Sequence, residues 1–147
     1  MLAIIQARTS SKRFPKKILH KINSKPLILW VVDNVLKSKL ISNLIIATSI
    51  EKSDNQLVRL IKKSKHKFYR GSLRNVALRM LQVAQNKKVK YFIRLSGDSP
   101  LIDYKIIDRA IKILKKHKNN DIVTNVFPRT YPSGQSVEII KTRVLTD

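Results

Sequence analysis

The sequence predicts an α/β fold with a mostly parallel sheet and helices on both faces. Short runs rich in Ile, Leu and Val alternate along the chain with longer segments whose apolar residues recur at helical spacing. Strands that are apolar throughout are typical of parallel sheets covered on both sides. The chain has 147 residues, without an internal repeat or a linker, so we expect one domain over residues 1–147.

Each predicted element rests on a local pattern. The predicted strands are the segments 2–5, 44–48, 68–69, 91–95, 121–125 and 137–140. Helical stripes of apolar residues cover 27–35, 57–61, 73–84 and 106–114. Pro26 marks the first helical turn, and Asp54 is the predicted N-cap of the second helix. The chain ends at Asp147 without the helix that normally closes such a unit, so we expect a domain truncated at its C-terminus.

Composition narrows the class of protein. The formal net charge is +22, which suits nucleic acid, an anionic membrane surface or phosphorylated small molecules. A general bias toward Lys, Ile and Asn in the composition also explains the charge. Arginines at particular positions are therefore stronger evidence for a binding site than the overall net charge is. No cysteine is present, which excludes disulfides, a thiolate nucleophile and a Cys-based zinc site. The N-terminal residues lack the basic and apolar regions of a secretory signal, and no apolar run approaches the roughly 20 residues that span a bilayer, so we expect a cytoplasmic protein.

A basic loop without glycine follows the first predicted strand. Residues 6–17 contain two arginines, three lysines and three hydroxyl side chains. In an open α/β sheet, ligands bind where loops leave the carboxyl ends of the strands. Guanidinium groups grip phosphate oxygens in pairs and ammonium groups act as compact charges, so the loop suits a polyanion. A solvated basic turn is the alternative, because phosphate-binding loops usually carry glycines.

Asp98 is the best single candidate for a catalytic or metal-binding residue. It lies in a Gly-Asp-x-Pro turn after the strand predicted at 91–95, at the same sheet edge as the basic loop. Mg²⁺ is typically held by one or two carboxylates together with substrate phosphates and water. Asp98 opposite phosphate-binding cations therefore suits Mg²⁺-dependent phosphoryl or nucleotidyl transfer. The alternative is a carboxylate that caps the turn before Pro100.

Two further loops carry weaker signals. Gly71, at the end of another strand, allows the backbone to approach a flat base or a ribose closely, or else it belongs to an ordinary turn with Ser72 as N-cap. The segment 128–134 offers Arg129 and Tyr131 to a sugar or a carboxylate, and a purely structural turn explains it equally well. The three histidines share no metal-ligand spacing.

These motifs, in this order along the chain, resemble the cytidylyltransferase family, and more narrowly its spore coat polysaccharide biosynthesis protein F branch. Relatives of that branch are the CMP-sugar synthetases that activate acylneuraminate and 3-deoxy-manno-octulosonate. The matching segments span nearly the whole chain: they are 3–8 with Ser11, Arg13, Pro15 and Lys17, then 24–27, 46–49, 69–72, 94–103, Asn125, 129–134 and 137–138.

The resemblance implies a Rossmann-like nucleotidyltransferase fold and a reaction. A sugar hydroxyl would attack the α-phosphate of CTP and release pyrophosphate, to activate a sugar acid or related sugar for surface polysaccharide. Such chemistry depends on positioning and charge neutralisation. The implied partners are CTP and a sugar, and the resemblance is compatible with a homodimer. Mg²⁺ is the implied cofactor, whereas neither a membrane nor nucleic acid is an implied partner.

Site residues follow by position in the family motifs. The implied catalytic residues are Arg8, Arg13 and Lys17, which would hold the triphosphate, and Asp98, which would bind Mg²⁺. The implied nucleotide-binding residues are Gln6, Ala7, Ser11, Gly71, Ser72 and Gly97. Arg129 and Tyr131 would face the sugar.

Three segments depart from the family pattern. Phe14 and Lys16 stand where the basic loop usually has Leu and Gly. Residues 73–75 replace acidic residues, and 135–136 replace an Asp. These departures and the short chain leave open a nucleotide-binding remnant without activity. The net charge alone suggests a nucleic-acid-binding module, but the aromatic residues are not interleaved with the basic ones as base stacking requires.

Overall fold

The apolar segments predicted as strands form the central sheet of the protein. The computed structural model describes residues 1–11 and 14–146, and within these ranges a six-stranded sheet has the strand order β5-β4-β1-β6-β8-β7. Its strands are β1 Leu2–Gln6, β4 Asn43–Ser49, β5 Phe68–Gly71, β6 Tyr91–Ser96, β7 Ile122–Thr124 and β8 Glu138–Lys141. A small hairpin of β2 Lys21–Ile22 and β3 Lys25–Pro26 lies outside this sheet.

Helices connect most of the strands. They are α1 Leu27–Leu36, α2 Asn55–Lys63, α3 Val76–Asn86 and α4 Tyr104–Lys116. Short 3-10 turns cover Lys17–Leu19, Lys52–Asp54 and Thr142–Leu145. The predicted α/β class is therefore confirmed, with element boundaries that shift by a few residues. Truncation at the C-terminus stays a prediction.

The strand order places a switch point beside β1. Strands β5, β4, β1 and β6 run parallel, and β8 is antiparallel to both β6 and β7. The chain goes from β1 to β4 and β5 on one side and then returns to β6 on the other side of β1. Loops that leave the carboxyl ends of β1 and β6 therefore diverge and open a crevice between them, which is where open α/β sheets bind ligands.

Strand β1 is buried on both faces. Ala3 and Ile5 pack into the larger core, which includes residues of α1, α2 and α4. Leu2 and Ile4 pack on the opposite face against Met80 and other residues of α3. Because each face needs apolar side chains, the strand reads as an uninterrupted apolar run. The predicted covering of both faces by helices is confirmed.

Gly97 allows the turn after β6 to lie directly against β1. Its N–H donates to the carbonyl oxygen of Gln6 at 2.8 Å. A Cβ at this position would lie 2.8 Å from that oxygen and 2.9 Å from the Cβ of Ala7. Both distances are shorter than side chains tolerate, so a residue without a side chain is needed where the two strand ends meet.

Lys16 takes a backbone conformation that favours glycine. Its φ is 56° and its ψ is 20°, in the left-handed region, and its N–H donates to the carbonyl oxygen of Thr9 at 2.9 Å. A residue with a Cβ is strained in this region. The strain falls at the position where the resembled family has glycine, the residue that adopts this conformation without strain.

We expect Gly97→Ala to lower the free energy of unfolding by about 1–3 kcal/mol, because the added Cβ meets backbone and a core side chain. Gly71→Ala is the comparison variant. Its Cβ meets only side-chain atoms, at 3.0 Å from Cγ of Arg79 and 3.1 Å from Cε1 of Tyr69, which can shift, so we expect a smaller loss. Urea unfolding measures both. If Gly71→Ala lost as much unfolding free energy as Gly97→Ala, or more, the close approach of Gly97 to β1 would not be the tighter constraint.

We expect Lys16→Gly to raise the free energy of unfolding by about 1 kcal/mol, because it relieves the left-handed strain. Lys87→Gly is the control, since Lys87 is also exposed but has an ordinary φ of −95°. That control is expected to lose about 0.5–1 kcal/mol. Thermal unfolding distinguishes the two, and a loss of stability in Lys16→Gly would rule out strain at this turn.

Candidate active site

A cleft of about 600 Å³ lies at the switch point between β1 and β6. The loop after β1 forms one wall, and the end of β6 forms the other. Gln6 pairs with Ser96 in the register of the two strands, so their loops leave the sheet at the same level. The lining residues are Gln6, Ala7, Arg8, Ser10, Ser11, Lys17, Ile18, Leu73, Ser96 and Asp98.

Asp98 and Lys17 form an ion pair across this cleft. Oδ2 of Asp98 accepts from Nζ of Lys17, and Oδ1 accepts from Oγ of Ser96 at 2.6 Å. Lys17 is brought there by its neighbour Ile18, whose side chain is buried in the core. Partial burial on its own raises the pKa of Asp98, but the bonds from Lys17 and Ser96 outweigh it and hold the pKa below its ordinary value. Asp98 is therefore ionised at neutral pH.

The loop after β1 adds cations and hydroxyls to the same cleft. Arg8 and Ser10 are exposed at its wall, and Ser11 is partly buried beside them. Guanidinium, ammonium and hydroxyl groups are donors suited to phosphate oxygens. Arg8 and Lys17 of this loop therefore line the same cleft as Asp98, and their contact with a nucleotide stays a prediction. Arg13, the third predicted cation, lies outside the described residues.

Asp54 was predicted to cap α2, but its side chain instead connects the loop after β1 to the end of β4. It stands at the N-cap position, but its side chain makes no capping hydrogen bond. Oδ1 accepts from the N–H and the Oγ1 of Thr9, each at 2.7 Å, and Oδ2 accepts from the N–H of Ser49 at 3.1 Å and from its Oγ. Asp54 is fully buried. Burial on its own raises the pKa of Asp54, but the bonds from Ser49 and Thr9 reverse the shift and lower it.

The predicted nucleotide residues Gly71 and Ser72 lie beside the cleft, in an adjoining depression of about 720 Å³. Leu73, which the helical pattern assigned to α3, precedes that helix and lines both spaces. Ser72 is not the N-cap of α3. Asn75 is, since its side chain accepts from the N–H of Leu78 at 2.8 Å.

Arg79 is a buried cation that the sequence pattern missed. It lies on α3 with no exposed surface, and its Nη1 donates to the carbonyl oxygen of Ser72. Its Nε and Nη2 have no hydrogen-bond partner among residues 1–11 and 14–146. Burial lowers the pKa of Arg79, Asp54 opposes that shift, and Arg8 adds to it. An arginine within an amphipathic helix is usually solvated, so no local signal marked this one.

Gln6 and Gly97 have structural contacts in addition to their predicted role. Oε1 of Gln6 accepts from Nε and Nη2 of Arg94 at 3.4 and 3.3 Å, and Nη1 of Arg94 pairs with Glu138. Gly97 is buried beneath the cleft, with its N–H bonded to β1. Their contact with a nucleotide stays a prediction.

The two predicted sugar residues lie apart from each other. Nη1 of Arg129 donates to Oγ of Ser136 at 3.3 Å. The hydroxyl of Tyr131 instead accepts from Nη1 of Arg109 on α4 at 3.0 Å. Tyr131 lines a separate, more apolar cavity of about 570 Å³ that does not include Asp98. The segment 128–134 therefore does not present both side chains to the cleft as a pair.

Asp98 is the acid available to a metal ion in the cleft. Within the described part of the chain, no three His, Cys, Asp or Glu side chains come together as a metal cluster. One carboxylate is nevertheless what a Mg²⁺ site completed by phosphates and water requires, and the Ser96 hydroxyl adds a second oxygen beside it. The donor set therefore fits Mg²⁺ bound together with a polyphosphate.

The helices among the described residues are all too short or too polar to cross a bilayer.

We expect Asp54→Asn to lower the free energy of unfolding by about 2–4 kcal/mol at neutral pH, because a carboxamide cannot accept from all four donors. The folded-state pKa of Asp54 lies below its ordinary 3.8, so its stabilisation is present above that pH and is lost as pH falls through the folded pKa. Urea unfolding of both proteins at several pH values should show the difference shrinking below pH 3.8. A difference that does not depend on pH would contradict this assignment.

Known proteins resemble this chain over most of its length. The spore coat polysaccharide biosynthesis protein SpsF of Bacillus subtilis is 35% identical over 76% of this chain and 48% of its own length. The 3-deoxy-manno-octulosonate cytidylyltransferase of Bdellovibrio bacteriovorus is 29% identical over 96% of this chain and 56% of its own length. The chain thus spans about half the length of the curated relatives it matches.

A solved structure shares the fold. The cytidylyltransferase from Leptospira borgpetersenii superposes on this chain with a TM-score of 0.92 at 30% sequence identity. The superposed region covers 98% of this chain and 61% of the Leptospira chain. The model of the cytidylyltransferase family matches residues 2–143, which include both walls of the cleft. This chain therefore belongs to the cytidylyltransferase family.

Proposed function

We propose that the protein transfers CMP from CTP to a hydroxyl of a sugar acid or related sugar and releases pyrophosphate, for the synthesis of surface polysaccharide. The observation that carries the proposal is the cleft in which Arg8 and Lys17 face Asp98 at the switch point of the sheet. The names of two relatives, which refer to spore coat polysaccharide and to 3-deoxy-manno-octulosonate, support a sugar as acceptor.

The cations of the cleft are suited to a triphosphate. Arg8 offers a planar pair of donors to phosphate oxygens, and Lys17 offers a compact charge. In the structure the Lys17 ammonium is paired with the carboxylate of Asp98. A triphosphate provides Lys17 with an alternative partner and frees an oxygen of Asp98 for a cation. Exchange of partners within one ion pair would therefore couple nucleotide binding to metal binding.

Mg²⁺ is the cofactor we propose, with Asp98 as its protein ligand. When bound, Mg²⁺ neutralises negative charge on the phosphates and so favours departure of pyrophosphate. Ser96 orients the carboxylate through its 2.6 Å hydrogen bond. The role of Asp98 is thus to hold the metal and nucleotide at the end of β6.

The proposed reaction is a displacement at phosphorus. The acceptor hydroxyl oxygen forms a bond to the α-phosphorus, and the bond from that phosphorus to the bridging oxygen of the β-phosphate breaks. The bonding electrons leave with pyrophosphate, and the hydroxyl proton passes to solvent. Arg8 and Lys17 stabilise the charge on the departing phosphates, which is the main contribution of a protein to such transfers.

A polar pocket adjoining the cleft is our candidate for the acceptor. It has a volume of about 230 Å³ and shares Gln6 and Ser96 with the cleft. Arg94 and Glu138 offer charged hydrogen-bonding groups there, and Arg129 reaches it through Ser136. Arg129 is thus a better candidate than Tyr131 for a residue that binds the sugar.

A homodimer and a cytoplasmic location stay predictions.

We expect the protein to release pyrophosphate from CTP in the presence of Mg²⁺ and one member of a panel of sugar acids. Asp98→Asn should lower that rate by at least about 100-fold, as expected for the loss of a charge-stabilising group. Asp33→Asn is the matched control, because Asp33 is also an ion-paired, exposed acid but pairs with Lys25 away from the cleft. A coupled pyrophosphate assay measures all three proteins.

Two outcomes would contradict the proposal. Binding of CTP without turnover on any acceptor would favour the nucleotide-binding remnant. Equal rates for Asp98→Asn and Asp33→Asn would exclude Asp98 from the reaction.

A further inference from the structure

Thr9 is the point at which the loop after β1 is held. Its carbonyl oxygen accepts from the N–H of Ser11 and from the N–H of Lys16, both at 2.9 Å. The start and the end of the loop are therefore bonded to one residue. Thr9 is itself buried, whereas its neighbours Arg8 and Ser10 are exposed on the cleft wall. A movement of Thr9 would displace the cations of the cleft.

Thr9 is in turn held by one carboxylate. Its N–H and Oγ1 both donate to Oδ1 of Asp54, and Oγ1 also lies 2.9 Å from the carbonyl oxygen of Ser53. The other oxygen of Asp54 is bound by Ser49 at the end of β4. Asp54 thus joins the basic loop to the rigid end of the neighbouring strand.

The charge of Asp54 does not explain its location. A carboxylate near the cleft repels a triphosphate, and burial of a charge costs free energy unless hydrogen bonds compensate. Asp54 in turn raises the pKa of the buried Arg79 guanidinium, against the effect of burial. What a carboxylate supplies here is the capacity to accept four hydrogen bonds, two from Thr9 and two from Ser49. Neither a carboxamide nor a protonated acid has that capacity.

We propose that Asp54 is a positioning residue for the nucleotide, acting through Thr9 on the loop that carries Arg8 and Lys17. The proposal rests on the proposed function, since it assumes that this loop binds CTP. Binding groups must be held within about 0.5 Å of their productive positions, and the supporting contacts provide that precision. Loss of the Thr9 hydroxyl should therefore weaken nucleotide binding beyond its effect on stability.

The decisive variant is Thr9→Val, which keeps the shape of the side chain and the charge of Asp54. It removes the hydroxyl hydrogen bond to Asp54 and the hydroxyl contact with the carbonyl oxygen of Ser53, and it leaves the N–H bond in place. We expect the Kd for Mg²⁺–CTP, measured by calorimetry, to rise about five- to tenfold. Thr9→Ser keeps the hydroxyl and should restore the Kd to within about twofold of the original protein.

Ser49→Ala is the matched control. It removes one hydroxyl bond to the same buried carboxylate, but on the side of β4. The bonds from Thr9 and from the N–H of Ser49 stay in place, so we expect a loss of stability with a Kd within about twofold of the original. A Kd unchanged by Thr9→Val would overturn the proposal. So would an equal rise in Kd for Ser49→Ala, because the effect would then follow stability alone.

Hydrogen exchange without nucleotide tests the same idea independently of CTP. In Thr9→Val and Asp54→Asn, the amides at positions 9, 11 and 16 should exchange at least about fivefold faster than the loss of global stability accounts for, and the amides of β1 and β6 measure that loss. Unchanged exchange at these three amides would overturn the proposal. If the original protein binds no CTP, the proposed function fails, and the exchange result still decides whether Asp54 positions the loop. Asp54→Asn is not used for the measurement of Kd, because removal of its negative charge would by itself strengthen the binding of a triphosphate.

Discussion

The pairing of β1 with both β4 and β6 is the constraint on which the site depends. Because β1 lies between two parallel neighbours, its carboxyl end opens between loops that diverge to opposite sides. Gly97, in the turn after β6, allows that turn to contact Gln6 at the end of β1. This close approach brings Asp98 next to the loop after β1. A wider separation of the strand ends would place the carboxylate beyond the reach of Lys17.

The polar network at this sheet edge has two layers. The exposed layer contains Arg8, Lys17 and Asp98, whose charges face the cleft and can exchange partners when a ligand binds. The buried layer contains Thr9 and Asp54, whose hydrogen bonds lie within the protein. The two layers have different physical tasks. Solvent-facing charges attract and neutralise a ligand, whereas buried and saturated hydrogen bonds keep the loop in one conformation.

Part of the site could be predicted from sequence, because strand ends can be read from local patterns. The run from Leu2 to Ile5 and the turn at Asp98 each follow an apolar strand, and parallel strands bring their carboxyl ends to one edge. That reasoning correctly joined Asp98 to Arg8 and Lys17. It failed for Asp54, whose partner Thr9 is 45 residues away along the chain, and for Arg79, whose burial no local pattern marks. It failed also for Tyr131, which packs against α4 although it is only two residues from Arg129.

The sequence by itself determined the α/β class, the apolar strands and the chemistry at their carboxyl ends, because these follow from residue type and spacing along the chain. The tertiary structure alone decided which side chains share a cavity and which polar groups are buried. Asp54 has the local pattern of a helix cap, yet it accepts hydrogen bonds from Thr9 in the loop after β1 and from Ser49 at the end of β4. Burial and hydrogen bonding depend on contacts between distant segments, and those contacts exist only once the sheet has assembled.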